Sequence, residues 1–223
     1  MNGTAREPLR AAAQLGLAGL LAALLLAGTW VLTREHIVAA EHHAQMAALE
    51  IVLPSTRYDN DLVADSVQVH AEAWLGLDTA TVHRARLAGE PSALVLQVSA
   101  PDGYAGPIRL LVAVAQDGRV LGVRVTGHQE TPGLGDDIEV ERSDWITRFT
   151  GRALGDPPAD QWAVRRDGGH FDQFAGATVT PRAVVRAVKR CLAFVARHGD
   201  ELRAAPAGAT LRFDTAPDDT APR

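Results

Sequence analysis

Two short stretches of the 223-residue chain carry side chains whose types and spacing could do chemistry. In Asp172–Val184, DQFAGATVTPRAV, the hydroxyl of Thr178 follows a small-residue turn and precedes a helix entrance. Thr180 before Pro181 predicts an N-cap and a first helical position, where a missing proline N–H costs nothing. A helix start exposes unpaired N–H groups and the positive end of its dipole, so it stabilises a phosphate placed nearby. Gly176 and Ala177 allow the close backbone approach this requires. The stretch could hold a phosphate, with Thr178 esterified by it; an ordinary loop and cap fit the same residues. The second stretch is His128–Asp136, HQETPGLGD. Pro132, Gly133 and Gly135 make a rigid turn after a strand, able to present backbone N–H groups, Glu130 and Thr131 to a ligand. It lacks the third glycine and the following helix of a dinucleotide fingerprint. His128-x-Glu130 lacks the cysteine pair of a zinc deaminase.

The elements that must position these residues are legible in part. From Pro181 the apolar residues Val184, Val188, Cys191, Leu192 and Val195 recur at helical spacing, while Arg182, Arg186, Lys189, Arg190 and Arg197 take the other faces. Cys191 is the one cysteine; it excludes an internal disulfide and reads as a buried small hydrophobe. IRLLVAVA, apolar on both faces, predicts a central strand, and Asp117–Gly118 turns it into VLGVRVT. That partner strand is predicted to set Leu121, Val123 and Val125 on one face. SALVLQVSA reads as a further strand. SDWITRFTGR reads as a short helix capped by Ser143, with Trp145, Ile146 and Phe149 on one face, and WAVRRDGG as a strand and turn.

The apolar residues concentrate at the N-terminus. Ala11–Thr33 carries no charge, and as a helix at about 1.5 Å per residue it spans about 34 Å, enough to cross a bilayer core. It reads as a retained anchor rather than a cleaved signal. The run is too long for a signal peptide, and the nearest small-residue cleavage site, Val38–Ala40, lies beyond Arg34, Glu35 and His36. Arg6 and Arg10 before the run outnumber Arg34 after it, which favours a cytoplasmic N-terminus. His36, His42 and His43 then fall on a helical stalk and read as solvated. A net charge of -5 without a basic run argues against nucleic-acid binding.

GYAGPIRLLVAV, HQETPGLGD, DWITRF and GGHFDQFAGATVTPRAVVRAVKR, with Tyr58-Asp59-Asn60, together resemble the G subunit of the Rnf/Rsx ion-translocating electron-transport complex. The domain is similar to that of the C subunit of the sodium-pumping NADH:quinone reductase. The likeness covers the anchor and nearly all of residues 103–190. It implies an α+β fold: a single N-terminal transmembrane helix followed by one soluble FMN-binding domain. The expected organisation is a cytoplasmic N-terminus and anchor over 1–33, a helical stalk over 34–57, a periplasmic FMN-binding domain over 58–205 and a disordered tail over 206–223. It implies a single-pass protein of the cell inner membrane whose covalent FMN is joined through its phosphate to Thr178. A flavin transferase would make that phosphoester, reading Asp172, Gly176, Ala177 and Thr178. Glu130, Thr131, Gly133, Leu134 and Gly135 would line the flavin pocket, with Thr180 beside it and His128 a weaker candidate. Ala175 departs from the Ser or Thr usual in the family; losing a hydrogen bond worth about 1 kcal/mol would slow modification rather than prevent it. The implied function is an electron relay, coupled to ferredoxin and NAD, among other membrane subunits of such a complex. No paired carboxylates, nucleophile–base pair or metal cluster appears in the sequence, so no catalytic residue of its own is expected. The competing reading is a membrane-anchored flavin sensor or assembly protein without a relay role, which would ordinarily carry further spans or an output domain.

Overall fold

A computed structural model describes residues 6–214. The chain divides into two compact units, 1–45 and 46–223. Helix α1 runs Arg6–Glu50 without a break. Its segment from Gln14 onward is long and apolar enough to cross a membrane, and none of its most apolar stretch is covered by protein. The two hydroxyls in the run are satisfied within the helix. Thr29 donates to the carbonyls of Leu25 and Leu26, and Thr33 donates to that of Thr29. A segment surrounded by lipid needs such internal pairing. At its end the Arg34 guanidinium lies 5.4 Å from the centre of the Trp30 ring, a pair suited to an interface.

The second unit is an α+β domain. Strands β1 (Ser66–His70), β2 (Ala80–Leu87), β3 (Glu90–Ala100), β4 (Ile108–Ala115) and β5 (Val120–Gly127) form an antiparallel meander, with a short helix α2 (Glu72–Leu75) between the first two. Helix α3 (Val179–Ala204) crosses the sheet over β3 and β4. The chain then returns as β6 (Thr210–Arg212), parallel to β1, giving the order β5-β4-β3-β2-β1-β6. The sheet is covered on both sides, which is why β4 reads as continuously apolar. Leu94, Leu96, Leu110 and Val112 face α3 and its buried Val184, Val188 and Cys191. Burial pushes the Cys191 thiol above the ordinary thiol range, so it is an inert packing group. Val95, Leu111 and Ala113 face the other way, onto Leu49, Val52, Leu53 and Leu62.

Several local expectations are revised. A bulge between Ala113 and Val114 pairs Gly122 with Ala113 and Val120 with Val114. Leu121 is the extra residue and packs on the face opposite Val123 and Val125. Gly122 then lies against the backbone of Val52, where a Cβ would come within 2.6 Å of its carbonyl oxygen. The helix expected after Ser143 is a 3-10 helix, Trp145–Phe149; the Ser143 hydroxyl accepts from the Trp145 N–H at 3.2 Å. In place of a strand over WAVRRDGG, a single parallel bridge Val164–Phe171 brackets a 3-10 turn, Arg165–Asp167.

The expected disorder from Pro206 does not extend over the whole tail. β6 pairs with β1, and Phe213 is 8% exposed, its ring centre 5.2 Å from that of Phe194 and 4.4 Å from that of His198. Residues 215–223 lie outside the described residues. Phe213→Ala, at the rim of the core, is expected to cost about 3 kcal/mol. At about 2–4 °C per kcal/mol, thermal unfolding should begin about 6–12 °C lower. An unchanged melting curve would show that the C-terminal strand adds nothing to the domain.

Candidate functional site

Three segments converge on a cavity of about 300 Å³: the β3–β4 loop carrying Tyr104, the loop after β5, and the start of α3 with the turn before it. It is lined by Glu130, Thr131, Leu134 and Gly135 from one side and by Gly176–Thr180 from the other. A larger open hollow of about 610 Å³ lies at the hairpin-turn end of the sheet, and none of the candidate residues lines it.

Glu130 is the tie between the walls. It is 4% exposed, and a buried carboxylate must be hydrogen-bonded. One oxygen accepts the Ala105 N–H at 3.1 Å; the other accepts the Thr180 hydroxyl. The Glu130 N–H in turn donates to His128 Nδ1 at 3.0 Å. An amide can only donate, so Nδ1 is bare and Nε2 carries the proton it donates to Glu139, at 2.7 Å. His128 therefore orients the loop and does not line the cavity.

The TPGLG turn is closed by the Thr131 carbonyl, which accepts from Leu134 N at 3.1 Å and Gly135 N at 3.0 Å. Gly133 sits at φ +76°, where a side chain would be strained. Its N–H donates to the buried Asp136 at 2.7 Å, so Gly133 shapes the turn from outside the cavity. Gly135 is required for space. A Cβ there would stand 2.9 Å from the Glu130 carboxylate and 3.0 Å from the Thr180 hydroxyl. Leu134, between them, is exposed at the cavity mouth.

On the opposite wall, Phe174–Ala177 is a turn closed by Ala177 N–H on the Phe174 carbonyl, 3.2 Å, with Gly176 at φ +80°. α3 starts at Val179, with Thr178 in the cap position. The expected assignment of Thr180 as cap is corrected. Thr180 is the second helical residue, 1% exposed, and its hydroxyl is drawn inward by the Glu130 carboxylate. Pro181 falls third, still among the first four residues whose N–H groups have no helical partner. Thr178 makes no side-chain cap bond, so its half-buried hydroxyl is left for other chemistry beside the N–H groups of the first turn.

Asp172 is not brought into the cavity. Its carboxylate pairs with Arg148 and, at 3.0 Å, with Arg165; its carbonyl accepts the Trp145 indole N–H at 2.8 Å. The Trp145 ring meets Phe174 edge-on at 5.2 Å. Asp172 pegs the turn before α3 to the body of the domain. Sequence reasoning missed Tyr104 and Val179 as lining residues and Asp136, Arg148 and Arg165 as supports. Only Tyr104, set between Gly103 and Gly106, left a local signal.

A hydroxyl at a helix start, above a cavity with Tyr104, Leu134 and Val179 exposed at its mouth, fits a flat ring system tethered by a phosphate. FMN has that form. A model of the FMN-binding domain family matches residues 103–193, which contain every residue lining the cavity. The chain is 50% identical over 202 residues to the ion-translocating oxidoreductase complex G subunit of Pseudomonas aeruginosa, covering 90% of this chain and 94% of the relative. It is 53% identical over 178 residues to the G subunit of Stutzerimonas stutzeri, covering 80% and 76%. Against that of Vibrio cholerae the identity is 43% over 182 residues, covering 82% and 87%. With the cavity and its glycine turns inside the matched FMN-binding domain, and 43–53% identity to these relatives over most of its length, the chain belongs to the family of ion-translocating oxidoreductase complex G subunits.

Proposed function

We propose that this chain is the membrane-anchored electron-transfer subunit of an ion-translocating oxidoreductase complex and carries FMN as a phosphoester on Thr178. The observation that carries the proposal is the Thr178 hydroxyl, free of any cap bond, at the N-terminus of α3 and on the wall of the cavity. FMN supplies a redox centre that accepts and donates electrons one or two at a time. The protein's part is placement. The first turn of α3 offers N–H groups to the phosphate, Glu130 fixes the two walls, and Leu134 and Val179 keep water from part of the mouth. The ester prevents loss of the cofactor on the periplasmic side, where no FMN pool would replace it. The anchor holds the domain in the inner membrane beside the other subunits, within a ferredoxin- and NAD-linked chain. A flavin transferase loads the site, and Ala175, exposed on the turn, slows that step relative to a hydroxyl-bearing residue.

Trypsin separates the candidate threonines. Thr178 and Thr180 fall on the peptide Asp167–Arg182, Thr210 on Ala204–Arg212. After co-expression with a flavin transferase, mass spectrometry of denatured protein should find the FMN adduct on the first peptide, with fragments placing it on Thr178. An adduct on Thr180 or Thr210, or flavin released by denaturation, would overturn the assignment. Thr180 is disfavoured because its hydroxyl is already committed to Glu130. Reporter fusions after the anchor should be active only as periplasmic reporters.

A further inference from the structure

We propose that Tyr104 is the stacking residue of the flavin site, holding one face of the ring while Leu134 and Val179 meet the other; this rests on FMN attachment at Thr178. An exposed tyrosine alone needs no explanation. Tyr104 is different in three respects. It is 71% exposed, its ring pairs with no other ring, and its hydroxyl makes no hydrogen bond to protein among the described residues. It nevertheless lines the cavity, across from the helix start that carries Thr178. And it is not on a loose loop.

The backbone on both sides of Tyr104 is fixed. Gly103 is packed so closely that a Cβ would stand 2.2 Å from the Gly106 carbonyl oxygen and 2.9 Å from the Glu130 carboxylate. Gly106 holds φ +138°, and the Ala105 N–H is bonded to Glu130. The same carboxylate bonds Thr180 on α3, so the spacing between the Tyr104 loop and the helix start is set by one side chain. Leu134 at 46% and Val179 at 39% are large apolar residues exposed at the same mouth. Two aliphatic groups and one aromatic ring, held apart by a rigid frame, suit a flat aromatic guest. The phenol is electron-rich and the oxidised flavin ring electron-poor. Stacking therefore stabilises the oxidised form more than the reduced form and lowers the reduction potential.

The test uses the full chain, co-expressed with a flavin transferase and shown to carry flavin on Thr178. In the wild type, flavin emission should be quenched, because an electron passes from the phenol to the excited ring and returns with no net chemistry. Tyr104→Leu should raise emission several-fold, speed the decay of flavin anisotropy and raise the midpoint potential. Tyr104→Trp should remain quenched. Tyr104→Phe should keep slow anisotropy decay and a near-wild-type potential but lose quenching, since its ring is harder to oxidise. Emission, anisotropy and potential all unchanged in flavin-loaded Tyr104→Leu would overturn the role of Tyr104. Absence of covalent flavin from the wild type would overturn the attachment at Thr178, and this inference with it.

Discussion

Membranes carrying the Thr178→Val chain are expected to lose electron transfer through the complex, and the chain itself should go from a full complement of covalent flavin to none. The substitution keeps the branched shape and removes one hydroxyl. That hydroxyl makes no cap bond, so the fold should change by no more than about 0.5 kcal/mol. The loss is therefore chemical rather than structural, and assembly with the other subunits should survive it. Three measurements check this: in-gel flavin fluorescence of the denatured chain, its melting temperature, and NADH- or ferredoxin-linked reduction across the membrane. Full transfer with a chain shown to be flavin-free would remove the relay role and leave a structural one.

Local sequence carried much of this site. Asn-, Asp- and Gly-type turn signals and helical periodicity depend on a few neighbouring residues, so the hairpin at Asp117–Gly118 and the long helix were readable. The resemblance placed ten candidate residues; Glu130, Thr131, Leu134, Gly135, Gly176, Ala177, Thr178 and Thr180 line the cavity, and Asp172 and Gly133 do not. What was not readable was set by contacts distant in sequence. Thr180 looked like a cap because Thr-Pro usually is one; a carboxylate fifty positions earlier pulls it into the helix instead. Asp172 looked like a ligand or recognition group, and only the fold shows Arg148 and Arg165 around it. β2 left no clean alternation, because it buries His83 and Arg84 among its apolar residues. The tail resembled a disordered one by composition, yet three residues suffice to complete a sheet edge already formed.

Arg84 carries the second large effect. It is 3% exposed, in the middle of β2. Its Nε donates to Asp65 at 2.7 Å, and its Nη1 donates to the carbonyls of Leu202 and Ala205 at the end of α3. Arg86 binds the other oxygen of Asp65 at 2.8 Å and the Arg203 carbonyl at 3.3 Å. Two arginines thus close the C-terminal end of the helix whose N-terminal end builds the cavity. Arg84→Met leaves the Leu202 and Ala205 carbonyls without this donor and takes from Asp65 its most buried partner. Removing one member of a buried pair costs about 3–5 kcal/mol, so the domain should melt about 6–20 °C lower at about 2–4 °C per kcal/mol. Arg84→Lys should recover little, because a point charge cannot reach a carboxylate and two carbonyls together. Denaturation of the two variants by heat and by urea checks both statements; wild-type stability in Arg84→Met would show that the cluster is only a surface ornament of the helix end.

The core beneath the sheet's second face is completed by Leu49, Val52 and Leu53, and Leu49 still belongs to the anchor helix. This couples shedding to unfolding. A protease that cuts at Pro54 removes all three residues, uncovers Leu62, Val95 and Ala113, and releases a fragment prone to aggregate rather than a working domain. A cut before Met46 leaves the face covered. The few residues between those two positions decide whether the protein can exist away from its membrane at all.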